Sequence, residues 1–260
     1  MNKTALITGA SGGIGLEFAR ILAETKNNLI LVARSKDKLD DLKKELEGKH
    51  NISVFSICKD LSHQGAAKEV YDELKEKGIS IDYLINNAGF GDFGFFAESD
   101  WNKQEQMINL NIIALAHFTR LFLPDMICRR SGKILNVAST ASFQPGPMMS
   151  VYFATKAFVL NFSQAIDNEV REYGITVTAL CPGSTKSDFH NVAAKEGTTP
   201  PERNNIPSAN EVAEFGYRAM MEGKTVAIHG FKNSLLANLV RFGPRSLVVK
   251  LARRTQEKKY

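Results

Sequence analysis

Tyr152 and Lys156 stand four residues apart in Ser-Val-Tyr-Phe-Ala-Thr-Lys, and Ser139 lies thirteen residues ahead of the tyrosine. On a helix, a spacing of four puts both side chains on one face, a turn apart. There an ammonium favours the tyrosinate and lowers the phenol's pKa toward working pH. Such a phenol gives a proton to a carbonyl oxygen or takes one from an alcohol. The run Thr-Gly-Ala-Ser-Gly-Gly-Ile-Gly at residues 8–15 offers a place to hold a dinucleotide. Together the two halves point to hydride transfer. The plainer alternatives are an amphipathic helix that carries Tyr and Lys, a strand-end serine and a tightly packed turn.

Short apolar runs alternate with amphipathic stretches along the chain. Strands are expected over residues 4–10, 28–33, 52–57, 81–85, 133–137, 176–180 and 225–228. Helices are expected over residues 13–24, 36–46, 104–126 and 152–172. This alternation predicts an α/β fold, a Rossmann-type doubly wound parallel sheet of about seven strands with helices on both faces. A single domain over residues 1–260 accommodates it. The irregular stretch 184–207, with Thr-Thr-Pro-Pro and Asn-Asn-Ile-Pro, reads as a substrate lid.

Gly9, Gly13 and Gly15 fall on the turn between the first strand and first helix, where a pyrophosphate approaches backbone and helix N-terminus. Their spacing, Gly-x-x-x-Gly-x-Gly, differs from the commoner Gly-x-Gly-x-x-Gly. Arg34 ends the second strand. An acid there would bind a ribose 2′-hydroxyl, whereas arginine accepts a 2′-phosphate. Ser35 and Lys38 follow, and no acid intervenes before Asp37, so NADP(H) is expected over NAD(H). Asp60, ending the third strand, either accepts from the adenine amino group or caps the next helix. Asn87, Ala88 and Gly89 end the fourth strand, where small residues let the nicotinamide ribose approach.

The composition, 43% hydrophobic and 23% charged, is ordinary for a soluble globular protein. The first apolar run is too short for a signal peptide, and nowhere do 18 apolar residues run together. Cys58, Cys128 and Cys181 are scattered, with neither metal-ligand spacing nor a disulfide framework, so no metal and a reducing cytoplasm are expected. The formal charge of +5 is concentrated in residues 241–260, where Arg241, Arg245, Lys250, Arg253, Arg254, Lys258 and Lys259 face Glu257. A near-neutral body and a tail without interleaved aromatics argue against nucleic acid. Residues 244–258 predict a helix with Pro244 in its first turn and an apolar stripe of Leu247, Val248, Leu251 and Ala252. Such a helix docks weakly on an anionic membrane surface or against a second subunit. Phe90, Phe93, Phe95, Phe96, Met148 and Met149 suggest an apolar pocket, with core or interface packing the alternative for any one of them.

In Thr-Gly-x-x-x-Gly-Ile-Gly at 8–15, Asn-Asn-Ala-Gly at 86–89, Asn111, Ser139, Tyr-x-x-x-Lys at 152–156 and Pro182-Gly183, the chain resembles the short-chain dehydrogenase/reductase family. The likeness runs from about residue 3 to about residue 230. It implies Tyr152 as general acid or base, and Lys156 as its tuner and the holder of the nicotinamide ribose. It implies that Ser139 steadies the substrate oxygen and that Asn111 shapes its helix and anchors a water. Ser11 and Ile14 join the glycines around the cofactor, and Pro182, Gly183, Thr185 and Ser187 grip the carboxamide. Ser187 stands where the family usually has threonine. The resemblance also implies a homo-oligomer, dimer or tetramer. Leu-Val-Ala-Arg at 31–34 and the basic tail look like the branch with hydroxysteroid-type and long-chain ketoacyl reductases. The expected reaction is NADP(H)-dependent reduction of an apolar carbonyl, or the reverse oxidation of its alcohol. The alternative is a non-catalytic NADP-binding regulator or membrane-associated adaptor of the same fold. His63, His117, His190 and His229 have no partner pattern and read as structural or surface residues.

Overall fold

The apolar runs become strands β1 (Thr4–Thr8), β2 (Asn28–Ala33), β3 (Val54–Cys58), β4 (Tyr83–Asn86), β5 (Gly132–Val137), β6 (Ile175–Cys181) and β7 (Val226–Ile228). The computed structural model describes residues 2–186 and 206–257. All seven strands pair in parallel, in the order β3-β2-β1-β4-β5-β6-β7. Between them run α1 (Gly13–Glu24), α2 (Lys36–His50), α3 (Ala66–Glu76), α4 (Trp101–Ile108), α5 (Leu115–Arg129), α6 (Ser150–Val170) and α7 (Ala209–Met221). Beyond β7 come α8 (Phe231–Leu239) and α9 (Arg245–Glu257).

Strand alternation sends neighbouring residues to opposite faces. Ile7, Leu29 and Leu31 pack with Phe18 and Leu22 of α1 and Leu39 of α2. Leu6, Ile30 and Leu84 pack on the other face with Val70 of α3 and Phe118 and Phe122 of α5. Both faces of the sheet are therefore covered, as the near-continuous apolar strands require.

Strand order reverses beside β1, whose neighbours β2 and β4 lead away in opposite directions. A crevice opens there beyond the carboxyl ends of the strands. β1 stops at Thr8 rather than at residue 10 because Gly9 turns to φ +68°. The expected long helix over 104–126 starts earlier, at Trp101, where Asp100 accepts from the amide of Asn102 at 3.0 Å. It is also broken by a π-helical turn, Asn109–Ala114, between α4 and α5. The stretch Trp101–Arg129 is apolar and long enough to cross a membrane by composition, with mean hydropathy 1.3. Met107, Phe118, Phe122 and Met126 are nevertheless buried in the core, which accounts for that hydropathy.

Candidate active site

The glycine turn is built by close approach. A Cβ at Gly15 would collide with the Gly9 carbonyl and Asn87 Nδ2, and one at Gly9 would stand 2.8 Å from that same Nδ2. Gly12, extended ahead of α1, provides no side-chain cap, and it lines a cleft of about 480 Å³ with Gly9, Ser11, Gly13 and Ile14. An uncapped helix start amid glycines suits a pyrophosphate. Gly15 is buried behind this turn and supports it rather than lining the cleft.

Thr8 closes the turn from below. Its hydroxyl donates toward the Ile85 carbonyl at 3.4 Å and accepts from the amides of Asn87 and Ala88, each at 3.0 Å. The Asn87 side chain donates to the carbonyls of Thr8 at 2.9 Å and Gly9 at 3.3 Å. Asn87 lines the cleft, but its amide is engaged in stapling β4 to the turn after β1. Ala88 and Gly89 continue the wall.

At the adenosine end, Arg34 stands on the tip of β2 in the cleft wall, its side chain 72% exposed. Its guanidinium is 4.0 Å from Asp60 Oδ2. The other oxygen, Asp60 Oδ1, accepts from the Ser62 amide at 2.9 Å and the Ser62 hydroxyl at 2.7 Å. Partial burial pushes the Asp60 carboxyl up, yet those two bonds, with Arg34 and His63 nearby, outweigh it and hold the carboxyl below its usual range. Asp60 thus shapes the turn after β3 without capping α3, which begins after Gly65.

Tyr152 and Lys156 lie on the first turns of α6, both buried and both in the cleft. The Lys156 Nζ sits 5.9 Å from the centre of the Tyr152 ring and donates to the Val137 carbonyl at 2.7 Å. Burial lowers the Lys156 ammonium to about 8, while burial pushes the neighbouring Cys181 thiol up to about 12. Cys181 works the other way on the lysine, raising its pKa by less than burial lowers it. Ser139 follows β5, and its Oγ accepts from the Ala141 amide at 3.1 Å, which leaves its proton for another acceptor.

Asn111 occupies the π-helical turn and is buried. Its Oδ1 accepts from the Phe90 amide at 3.2 Å, and its Nδ2 donates to the Phe90 carbonyl at 3.0 Å and Thr155 Oγ1 at 3.1 Å. Thr155 in turn donates to the Tyr152 carbonyl at 2.7 Å. Asn111 thus fixes both the loop after β4 and the first turn of α6, and the expected water is left one Oδ1 lone pair. A Cβ at Gly89 would come within 2.8 Å of Asn111 Oδ1 and 3.5 Å of Lys156 Nζ, so that position admits little but glycine.

Pro182, Gly183 and Thr185 line the cleft after β6, with the Pro182 carbonyl accepting from the Thr140 amide at 2.9 Å. Ser187 and most of the expected lid lie outside the described residues. The two ends of that stretch meet, the Lys186 amide donating to the Pro207 carbonyl at 3.0 Å. Of the aromatic and methionine runs, Phe90 and Met149 line the cleft beside Tyr152, and Phe93 packs among Met107, Met149 and Phe153. Phe95 and Phe96 are exposed and do not line this cleft. Apolar patterning also misses Gln144, Thr255 and Gln256 and puts Ala252 on a docking stripe, yet the fold brings all four into the same cleft.

The lysine yields a pH test. A folded-state pKa depressed from 10.5 to about 8 means a desolvation cost present in full below pH 8 and gone above 10.5. Lys156→Met should therefore gain most on wild type below pH 8, and that advantage should shrink as pH rises toward 10.5. Urea midpoints of both ligand-free proteins across this range measure it, and a pH-independent difference would contradict the buried ammonium.

Comparison with known proteins agrees with this geometry. A profile of the short chain dehydrogenases matches residues 3–197. The very-long-chain 3-oxoacyl-CoA reductase of Homo sapiens is 30% identical over 245 residues, 92% of this chain and 76% of that protein. A short-chain dehydrogenase from Sphingobium yanoikuyae, solved in complex with NADPH, is 32% identical with a TM-score of 0.82, over 93% of this chain and 94% of that one. The bulky-bulky ketone specific alcohol dehydrogenase from Comamonas testosteroni is 31% identical with a TM-score of 0.79, over 93% and 92%. The chain belongs to the short-chain dehydrogenase family, as an oxidoreductase that uses a nicotinamide dinucleotide to interconvert alcohols and carbonyls.

Proposed function

We propose an NADP(H)-dependent reductase of apolar, lipid-like ketones that also runs in reverse on their secondary alcohols. The observation that carries this is the meeting of Tyr152, Lys156 and Ser139 in one cleft with the glycine turn and Arg34. A bound nicotinamide supplies or accepts the hydride. The Ser139 hydroxyl, accepting from Ala141, donates to the substrate oxygen and steadies its developing charge. Tyr152 delivers the proton to that oxygen, and the Lys156 charge favours the phenolate left behind. Lys156 commits one N–H to Val137 and has two more for ribose hydroxyls. Phe90 and Met149 supply the apolar side of the substrate site. The name of the human relative, an oxoacyl-CoA reductase, and the bulky ketones of the Comamonas enzyme support an apolar carbonyl substrate.

Tyr152→Phe should cut turnover ~10²–10⁴-fold, the usual worth of a positioned acid, with NADPH affinity nearly unchanged. Near-normal reduction of bulky ketones by the purified variant would remove Tyr152 from this role.

Arg34 carries the cofactor preference. Arg34→Asp replaces a charge-assisted phosphate contact with repulsion, and NADPH binding should weaken by about 10–100-fold while NADH binding holds or improves. Equal wild-type affinities for NADPH and NADH in a fluorescence titration would refute the assignment.

A second reading concerns the C-terminal segment. Phe231 and Phe242 are 84% and 85% exposed, and Leu247 and Leu251 are half exposed. Arg241, Arg245, Lys250, Arg253 and Arg254 are interspersed with them along the chain. We assign the face these residues offer to an anionic lipid surface on the cytoplasmic side, where each nearby basic residue adds about 1 kcal/mol. Wild type should then sediment with anionic but not neutral vesicles, and Phe231→Ser with Phe242→Ser should abolish this without changing assembly size. A smaller assembly in the double variant would instead give the face to a second copy of the chain, within the expected dimer or tetramer.

A further inference from the structure

The basic tail does more than lie on the surface. α9 starts at Pro244, whose carbonyl accepts from the amides of Leu247 and Val248 at 3.0 and 3.1 Å. Its inward face runs Val248, Ala252, Gln256, each four residues on. Ala252 and Gln256 are 5% and 4% exposed, and together with Thr255 they stand in the wall of the cleft that holds Gly13, Arg34 and Lys156. Leu247 and Leu251, which the apolar pattern places in the buried stripe, are half exposed instead.

Gln256 presents an imbalance. Its Oε1 is buried without a hydrogen-bond partner, one of five such side-chain atoms among the described residues. The other four belong to Arg20, Asn86, Thr176 and Thr178, none of which lines the cleft. A buried acceptor left unpaired costs ~1–3 kcal/mol, so a glutamine here is a liability unless something in the cleft completes it. An apolar residue would extend the Val248–Ala252 stripe at no such cost. The dinucleotide brings the missing donors, since its ribose hydroxyls, adenine amino group and carboxamide all offer O–H or N–H.

We propose that α9 roofs the dinucleotide cleft of its own chain and that Gln256 is a cofactor-binding residue, its side-chain amide turning toward the cleft so that the oxygen accepts from a hydroxyl or amino group of the bound dinucleotide. The proposal rests on the dinucleotide occupying this cleft. It makes the C-terminal helix a component of the cofactor site rather than an appendage.

The test is binding without turnover. NADPH is titrated into wild type, Gln256→Leu and a chain ending at Phe242, following nucleotide fluorescence, and the ligand-free melting temperature of each protein is recorded. Gln256→Leu removes the amide and leaves a branched apolar side chain one atom shorter. It should bind NADPH about 10-fold more weakly, the worth of one hydrogen bond, while melting at the same temperature or higher without ligand. The truncated chain should bind more weakly still. Wild-type NADPH affinity in Gln256→Leu overturns the proposal, as does a weakened affinity matched by a lower ligand-free melting temperature, which marks a packing role. Unchanged NADPH binding with a raised KM for the ketone overturns the cofactor assignment in favour of the substrate. A wild type that binds no dinucleotide would overturn the cofactor reading itself, a result separate from any effect of the variant.

Discussion

A positive charge has been placed where solvent does not reach, and the rest of the site is arranged around keeping it there. Burying the Lys156 ammonium is unfavourable, as its lowered pKa records, and the Val137 carbonyl offsets only part of that cost. The lysine stays in place because α6 is pinned along its whole length. Ser142 Oγ donates to the Lys156 carbonyl at 2.7 Å near the start. At mid-helix, Asn136 donates to Ser163 at 2.9 Å and itself accepts from Asn86 at 2.9 Å, tying the helix through β5 to β4. Near the end, buried Asp167 accepts from the Val177 amide at 2.9 Å and from Thr225 at 2.8 Å, linking α6 to β6 and to the residue before β7. A side chain that must hold a costly charge within reach of a phenol needs this kind of over-determined support.

The two halves of the cleft are mechanically joined by residues with no evident chemistry of their own. Thr8 and Asn87 lock the glycine turn to the end of β4, and the next residues, Ala88 and Gly89, run on to Asn111 and Lys156. Displacement of the phosphate-binding turn is therefore felt at the lysine through a chain of close contacts. At the far end the coupling is loose. Arg34 and Asp60 approach only to 4.0 Å, and with the guanidinium mostly in solvent such a pair contributes little. An arginine so weakly paired has donors to offer a ligand, as the proposed 2′-phosphate contact requires.

The sequence was legible wherever local periodicity fixes geometry. All seven strands follow from short apolar runs, and the shared face of Tyr152 and Lys156 from a spacing of four residues. What it did not reveal depends on partners far away in the chain. The π-helical turn at Asn109–Ala114 is held by bonds from Asn111 to residues 21 and 44 positions distant. No local spacing encodes those bonds, so the region read as one uninterrupted helix. Asn87 lines the cleft as its position predicts, but that its side-chain amide also holds the backbone beneath the turn is visible only in the fold. Asp60 was open between ligand and cap for the same reason: which oxygen serves Ser62 and which faces Arg34 is settled only by folding.

The C-terminal helix shows why the last failure is physical rather than accidental. An apolar search expects a helix to bury its apolar stripe and expose its charges. α9 faces the cleft on one side, where a glutamine takes a buried position, and its leucines are turned outward with the arginines. Exposing Leu247 and Leu251 costs hydrophobic stabilisation that the isolated chain does not recover. A lipid surface would recover it on the outer face, and a dinucleotide would satisfy Gln256 on the inner one. Under these two assignments the helix, out of balance on both faces by itself, is balanced between two ligands, and occupancy of the cleft would be linked to contact with the lipid.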